Sequence, residues 1–346
     1  MTERFSKMTQ RTRLIPFVVL ALICALVAFL PAADQAPPKP ADTAATRPAG
    51  AETQPGVVTV TIFATGDIHE HTQGLARAAG YVKAAKAKDP NVLFFDAGDT
   101  VHQYGEGPLR ATDGEGMWRL MKAAGYDAFI FGNHDHGMGR TRIIELKRKL
   151  PDLPLLAANI DWSKENENLS KLIPPYKIFQ LKGVKVAVIG ASSDEVRYTR
   201  KNRFNVYYAP QAVVNLVPQL RKQADIVIAI THEYEEQDYA LANSSNAPDL
   251  IVGGHSHGAT ATPYGREKKS FLLKAGRYAR YLGMAQIKWD GKQIVERTGE
   301  VSRVVDDWPE DPEVKALRDS YFEAYRKAQA EKAAAEKATA EKAGGK

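Results

Sequence analysis

The chain has 346 residues, of which 44% are hydrophobic and 25% are charged, and it contains 26 glycines and 19 prolines. This length and composition allow one large globular domain or two small ones, and they exclude wholesale disorder. The formal net charge of +6 falls to +3 without residues 1–33, which carry four basic side chains and one acidic one, so a large nucleic-acid-binding surface has little support.

The N-terminus has the pattern of an export signal. Basic residues precede an apolar run from Leu14 to Leu30, and small residues follow at 31–33. The run is slightly long for a signal peptide and barely long enough to span a bilayer. We therefore predict that residues 1–33 are a signal peptide or a retained N-terminal anchor, and that residues 14–30 touch the membrane only if they are not cleaved. The globular part is then periplasmic or otherwise extracytoplasmic, and soluble after cleavage.

The only cysteine, Cys24, lies inside this apolar run. The rest of the chain can therefore form neither a disulfide nor a thiolate metal site. Residues 34–56 are rich in proline, alanine and threonine and lack apolar periodicity, which predicts an extended linker.

From Val57 onwards, short β-branched or aromatic runs alternate with amphipathic stretches. The predicted strands are Val57–Thr65, Val92–Asp96, Phe129–Phe131, Leu155–Ala158, Val184–Ile189, Ile226–Ile230 and Leu250–Val252. The predicted helices are Leu75–Lys88, Gly116–Ala124, Arg140–Leu150 and Gln211–Gln223. Later runs at Phe271–Leu273 and Tyr281–Trp289, with a turn at Asp290-Gly291, predict antiparallel strands. The alternation predicts an α/β domain over residues 57–310 with largely buried sheets.

The C-terminal part, residues 311–346, is predicted to be helical. Val314, Leu317, Tyr321 and Tyr325 form an apolar stripe over about four turns. The tail that follows is polar all round and low in complexity, so we expect a solvated helix there rather than a partner-binding arm.

Polar side chains follow five of the predicted strands. The sequences at these strand ends are GDIH at 66–69, DAGD at 96–99, GNHDH at 132–136, THE at 231–233 and GGHSH at 253–257. The carboxyl ends of strands are where ligands bind in open α/β sheets. Each motif alone is weak, but five acceptor-rich strand ends together indicate a metal or catalytic site.

This ordered series resembles the calcineurin-like metallophosphoesterases, and within them the catalytic domain of the bacterial exported 5′-nucleotidase group. The resemblance covers about residues 57–300. It implies a four-layer α/β sandwich of two mixed β-sheets flanked by helices. It also implies two divalent metal ions, the first held by Asp67, His69 and His257 and the second by Asn133, His232 and His255, with Asp99 bridging both. Ligands of these types suit Zn, Mn, Fe or Co and do not choose among them.

The resemblance implies hydrolysis of phosphate esters by a metal-bound hydroxide, because paired cations about 3.5–4 Å apart can lower the pKa of bound water to about 7. His134 would then stabilise the transition state or protonate the leaving group, a role worth about 10²–10⁴ in rate. In the nucleotidase group an aspartate three residues further on typically orients this histidine, but that position is Gly137 here. Asp135 is adjacent to His134, where neighbouring side chains often point apart.

Several other polar residues receive no predicted role in the site. His71, His102 and His136 match no ligand position, and we expect them to be ordinary polar residues near the cleft. The arginines that could meet a phosphate group are likewise left unassigned: Arg140, Arg197, Arg203 and Arg277.

Three functions remain open from the sequence. The first is an exported hydrolase of small phosphate esters, nucleotides among them, with a role in nucleotide catabolism. The second is a thiohydrolase of the same fold. The third is a non-catalytic metal-binding module that recruits partners through its helical tail. We expect a small phosphorylated substrate and no nucleic-acid polymer as partner, and the sequence makes no prediction of oligomeric state.

Overall fold

The computed structural model describes residues 56–102, 104–162, 169–195 and 205–344. The predicted signal or anchor and nearly all of the predicted linker lie outside these residues. Across the described ranges, no helix is both long enough and apolar enough to cross a membrane.

Two mixed β-sheets form the centre of the fold. The first has the strand order β11-β10-β1-β2-β3 and the second the order β4-β5-β6-β7-β9-β8. The first sheet consists of β1 (Val58–Thr65), β2 (Val92–Asp96), β3 (Ala128–Phe129), β10 (Tyr281–Trp289) and β11 (Ile294–Arg303). The second consists of β4 (Tyr176–Leu181), β5 (Val184–Ala191), β6 (Ile226–Thr231), β7 (Leu250–Gly253), β8 (Ala259–Tyr264) and β9 (Ser270–Ala275). Strands β1, β2 and β3 are parallel, as are β5, β6, β7 and β9.

The sheets pack face to face because alternate residues of each strand point inwards. Val60, Ile62 and Ala64 of β1 belong to one buried cluster with Ile228 and Ile230 of β6. Side chains two apart in a strand share a face, so the residues between them point to the helices outside.

Helices cover the outer face of each sheet. The helices are α1 (Leu75–Lys86), α2 (Gly107–Arg110), α3 (Glu115–Ala124), α4 (Arg140–Lys149), α5 (Leu169–Leu172), α6 (Ala209–Leu220), α7 (Glu235–Ala242) and α8 (Pro312–Gly344). Helices α1 to α4 share a buried cluster with Phe63 and Phe94 of the first sheet, whereas α6 and α7 pack on the second. The predicted four-layer α/β sandwich of two mixed β-sheets flanked by helices is confirmed.

Helix α8 is buried over its first turns only. The carboxylate of Asp311 accepts a hydrogen bond from the backbone N–H of Val314 at 2.9 Å and so caps the helix start. Val314 is fully buried, and Leu317 and Tyr321 pack against the same core as α1 and α3. From Arg326 to Glu341 every residue is exposed.

Some predicted elements differ from the structure. The predicted strand Leu155–Ala158 is wrong, because only a single bridge joins Leu155 to Phe129. Three strands were missed: β4, β8 and β11. Each lies at the edge of a sheet and is partly exposed along its length, so none carries the continuous apolar run of a central strand.

Candidate metal centre

The loops that follow β1, β2, β3, β6 and β7 meet at one end of the sandwich, and all seven predicted ligands lie there. Asp67, His69, Asp99 and Asn133 come from the first sheet, and His232, His255 and His257 come from the second. Nε2 of His69 lies 3.1 Å from Nε2 of His257. The fold therefore brings together residues up to 190 positions apart (67 to 257), whereas their metal-binding roles stay a prediction.

The donor atoms fall into two groups around Asp99. In the first group, Oδ1 of Asp67 lies 3.5 Å from Nε2 of His257. The second group is centred on Oδ1 of Asn133, which lies 3.2 Å from Nε2 of His232 and 3.0 Å from Nδ1 of His255. Oδ2 of Asp99 is 3.3 Å from Nε2 of His232 and 3.7 Å from Nε2 of His69. Asp99 thus lies within 4 Å of a nitrogen from each group.

The hydrogen bond at Nδ1 of His232 leaves Nε2 of the same ring available to bind a cation. Nδ1 of His232 lies 2.7 Å from the carbonyl oxygen of Ala97, and a carbonyl can only accept, so Nδ1 carries the proton. When the ring is neutral, its Nε2 lone pair points towards the oxygens of Asp99 and Asn133. Three acceptor atoms facing one another fit a metal ion, and the support of the ring by a backbone carbonyl is typical of metal-bound histidines.

Burial and charge strongly perturb the titration of these groups. Burial raises the pKa of Asp67 to about 8, against the opposing charge of His232. Burial alone would lower the pKa of His232, but the nearby charge of Asp99 outweighs it and raises the pKa to about 10. Buried carboxylates packed this closely are favourable only when a proton or a cation compensates them. Asp67 with His69 and His257, and Asp67 with Asp99 and His232, are groups that could hold a metal ion.

Five of the seven predicted ligands have left-handed backbone conformations. The φ angles are 51° at Asp67, 52° at His69, 54° at Asp99, 70° at His255 and 58° at His257. Residues other than glycine rarely adopt such angles, and the strain persists only where the surrounding structure enforces it. Backbone hydrogen bonds from Asp67 N to Gly98 O at 2.9 Å and from His69 N to Asp99 O at 2.8 Å lock the first two loops together. Strain of this kind clusters at functional sites.

His134 lies beside this centre and lines a cavity of about 190 Å³ together with Gly137. Its backbone N–H donates to Oδ1 of Asp99 at 2.8 Å, and its Nε2 is 4.0 Å from Oδ2 of the same residue. The imidazole therefore lies at the rim of the donor groups.

Asp135 does not orient His134. Its carboxylate accepts hydrogen bonds from Thr100, from the backbone N–H of Val101 and from the backbone N–H of Gly132. Asp135 therefore joins the loops after β2 and β3.

The three histidines without a predicted role lie in different surroundings. His136 is fully buried, and its Nε2 is 3.0 Å from Ser192 Oγ and 3.1 Å from Ser193 O. His71 packs against the ring of Tyr278 at 4.4 Å. His102 is closer to the centre than expected, because its ring lies 4.1 Å from that of His134 and 4.8 Å from that of His69. Those three rings form another group that could hold a metal ion.

Two residues that support the centre were missed from the sequence. Tyr278 donates its backbone N–H to the carbonyl oxygen of Asp67 at 2.9 Å. Lys274 lies beneath the turn before His255, where it forms a fully buried ion pair with Asp238 at 2.8 Å and donates to the carbonyl oxygen of Gly254 at 2.9 Å. These contacts join distant parts of the chain, so no local sequence signal marks them.

The arginines that were left unassigned also differ in their position relative to the centre. Arg277 Nη1 donates to Nδ1 of His257 at 3.0 Å and therefore touches the centre. Arg197 and Arg203 lie outside the described residues.

The chain is similar to several known proteins. A family model described as calcineurin-like phosphoesterase matches residues 60–259. The chain is 25% identical over 278 residues to the trifunctional nucleotide phosphoesterase YfkN of Bacillus subtilis, covering 70% of this chain and 19% of that protein. It is 28% identical over 299 residues to the 5′-nucleotidase of Bos taurus, covering 74% of this chain and 51% of the relative. The crystal structure of a 5′-nucleotidase precursor from Thermus thermophilus superposes with a TM-score of 0.68 at 22% identity, over 78% of this chain and 59% of that one. The chain thus matches about half or less of the length of these curated relatives.

Proposed function

Because the chain belongs to the calcineurin-like phosphoesterase family, a family of hydrolases, we propose that it hydrolyses phosphate esters with two bound divalent cations. The observation that carries this proposal is the convergence of seven acceptor side chains from both sheets at one end of the sandwich. The proposed ligands are Asp67, His69 and His257 for one cation and Asn133, His232 and His255 for the other, with Asp99 shared.

When bound, a pair of divalent cations lowers the pKa of water and neutralises the charge of phosphate oxygens. The chain's own residues then divide the remaining work. Asp99 holds the two donor groups at a fixed separation, and its Oδ1 also anchors the backbone of His134. Nε2 of His134 faces the same space and delivers a proton to the leaving oxygen. The locked loops keep these groups positioned before the substrate arrives.

We propose small phosphate esters as the substrates, with nucleotides among them. Support for nucleotides comes from the relatives named 5′-nucleotidases, each of which extends well beyond the matched region. We also propose that the domain works outside the cytoplasmic membrane, on the basis of the basic residues and the apolar run in residues 1–33.

The test is a phosphatase panel on the full chain, stripped of metal and then supplied separately with Mn²⁺, Zn²⁺, Co²⁺ or Fe²⁺. The panel contains phosphate monoesters, phosphate diesters, nucleotides and a carrier-bound thiosulfonate. We expect metal-dependent release of phosphate from monoesters or nucleotides. Cleavage of the thiosulfonate alone would identify a thiohydrolase instead. Bound metal without any turnover would contradict the proposal and favour a non-catalytic module.

His134→Ala tests the proposed acid within the same panel. We expect turnover of an unactivated ester to fall by about 10²–10⁴, and turnover of 4-nitrophenyl phosphate to fall much less because its leaving group needs no proton. Metal content measured by elemental analysis is the control. Equal turnover of both esters by the variant and the wild type, with both metals retained, shows the role of His134 to be wrong.

A further inference from the structure

A second cavity of about 360 Å³ opens beside the metal centre, between the loop after β9 and the start of α1. We call it the arginine pocket and define it by the residues that matter here: His71, Arg77, Tyr278, Arg280, Arg303 and Asp306. Tyr278 belongs to both places, because it lines the pocket and its ring lies 5.8 Å from that of His69 and 6.1 Å from that of His257.

We propose that the arginine pocket binds a second phosphate group, carried on the leaving part of the substrate. Preferred substrates are then small organic molecules with two phosphate groups. This inference rests on the function proposed above and adds a substrate class to it.

The charges of the pocket favour a dianion. Arg77 is already paired, with Asp306 at 3.5 Å and Glu310 at 3.0 Å. Arg280 and Arg303 are both exposed, and no carboxylate among the described residues forms an ion pair with either of them. Guanidinium groups bind phosphate through paired hydrogen bonds, so two uncompensated arginines at one cavity form an anion site.

Backbone hydrogen bonds hold the loop that carries Tyr278 and Arg280 against its surroundings. Backbone hydrogen bonds run from Gly276 N to Gly258 O at 2.7 Å, from Tyr278 N to Asp67 O at 2.9 Å and from Val304 N to Arg280 O at 2.9 Å. These bonds tie the loop to the turn after His257, to a predicted metal ligand and to the end of β11. A binding loop that is already ordered loses little entropy when a ligand arrives.

Strain in the same loop points to function. Tyr278 and Ala279 have φ angles of 62° and 50°, which residues other than glycine rarely adopt. The loop also approaches α1 closely, because a β-carbon at Gly74 would overlap the carbonyl oxygen of Ala279. The neighbouring backbone thus holds two strained residues in succession here, and strain of this kind clusters at functional sites.

The pocket lies within reach of an ester held at the metal centre. The guanidinium of Arg280 lies 5.4 Å from the centroid of the Tyr278 ring. On the metal side, the centroid of the His257 ring lies 6.1 Å from the same Tyr278 centroid. The separation of Arg280 from His257 cannot exceed the sum of these two distances. A molecule with phosphates at opposite ends of a sugar spans such a gap, with its carbon skeleton against the Tyr278 ring.

The experiment compares matched esters with one or two phosphates. The pairs are adenosine 5′-monophosphate with adenosine 3′,5′-bisphosphate, and fructose 6-phosphate with fructose 1,6-bisphosphate. We expect wild-type KM to be about fivefold or more lower for the bisphosphate of at least one pair, as charge-assisted hydrogen bonds predict. The double variant Arg280→Ser/Arg303→Ser should raise the KM for the preferred bisphosphate about tenfold. It should raise the KM for the matching monophosphate less than about twofold.

Arg326→Ser, on the exposed part of α8, is the control for loss of positive charge and should change neither constant. If the wild type hydrolyses both members of each pair with equal KM, or the double variant raises both constants equally, the pocket assignment is overturned and the phosphoesterase function stands. If the metal-loaded wild type hydrolyses none of the four esters but cleaves 4-nitrophenyl phosphate, only the pocket assignment is overturned. If it cleaves none of these five esters, both proposals are overturned.

Discussion

A β-carbon on Gly132 would overlap Oδ1 of Asp99, so this glycine leaves the space in which the carboxylate lies. The same Oδ1 accepts the backbone N–H of His134 at 2.8 Å. We expect Gly132→Ala to displace Asp99 and to reduce both metal affinity and turnover, the latter by about 100-fold, since a shift of about 1 Å in a catalytic group can have that effect. Calorimetric titration with Mn²⁺ and phosphatase assays measure the two effects.

Gly137→Ala is the matched control. A β-carbon there meets no atom within 4 Å. This variant should bind metal and turn over substrate as the wild type does. If the two alanine variants behave alike, the close approach of Gly132 to Asp99 has no functional consequence.

Gly137 also offers a gain of function. It follows His134 by one turn of the 3₁₀ helix Asp135–Met138, and its backbone N–H donates to the carbonyl oxygen of His134 at 2.8 Å. Residues three apart in a 3₁₀ helix lie on the same side, so Gly137→Asp would place a carboxylate near the imidazole and favour its protonated form. We expect kcat for unactivated esters to rise by about tenfold, within the range of general acid catalysis.

The isosteric but neutral Gly137→Asn separates charge from bulk in this experiment. It should leave kcat near the wild-type value. A similar rise in both variants, or a rise in neither, would argue against an orienting carboxylate at this position.

The buried ion pair of Lys274 and Asp238 should contribute strongly to stability. Lys274→Met leaves the buried carboxyl of Asp238 without its ion-pair partner, and we expect the free energy of unfolding to fall by about 3–5 kcal/mol. Urea unfolding measures this loss. The double variant Lys274→Met/Asp238→Leu removes both charges and should recover much of it. If the double variant is no more stable than the single one, the ion pair is not the cause.

Asp96 makes stability depend on pH. Burial raises the pKa of Asp96 to about 7, well above the value of about 3.9 in an unfolded chain. Between about pH 4 and pH 7 the folded state therefore binds a proton that the unfolded state lacks, and stability falls as the pH rises through this interval. Asp96→Asn removes the titration. Its amide can donate to Thr65 Oγ1, which lies 2.6 Å from Asp96 and can in turn donate to Tyr126.

In EDTA, we expect Asp96→Asn to match the wild type near about pH 4 and to exceed it by about 4 kcal/mol near about pH 8. Thermal unfolding across this range is the measurement. A difference between the two proteins that stays constant with pH would show that Asp96 does not titrate as inferred.

The sequence predicted the parts of this fold that depend on local patterns. Apolar runs marked the central strands, and the spacing of Val314, Leu317 and Tyr321 marked the buried face of α8. The candidate ligands were placed at strand ends, and parallel strands deliver their ends to one edge of a sheet. The positions of all seven therefore followed from their motifs.

The remainder depends on contacts between distant residues. Edge strands such as β4 and β8 take their conformation from a neighbouring strand rather than from their own partly polar sequences. The bond from Tyr278 to Asp67 and the contact of His102 with His134 arise only when separate loops meet. No pattern along the chain could have indicated them.

Neither sheet alone supplies the full set of donors, since four belong to the first and three to the second. Cations bound there would cross-link the two sheets of the sandwich. Ligands that bind only the folded state stabilise it by mass action, by about 2.7 kcal/mol at a concentration 100 times the dissociation constant. The stability of the folded protein would then depend on the metal concentration in its compartment. Chelation would destabilise the sandwich as well as abolish the proposed activity.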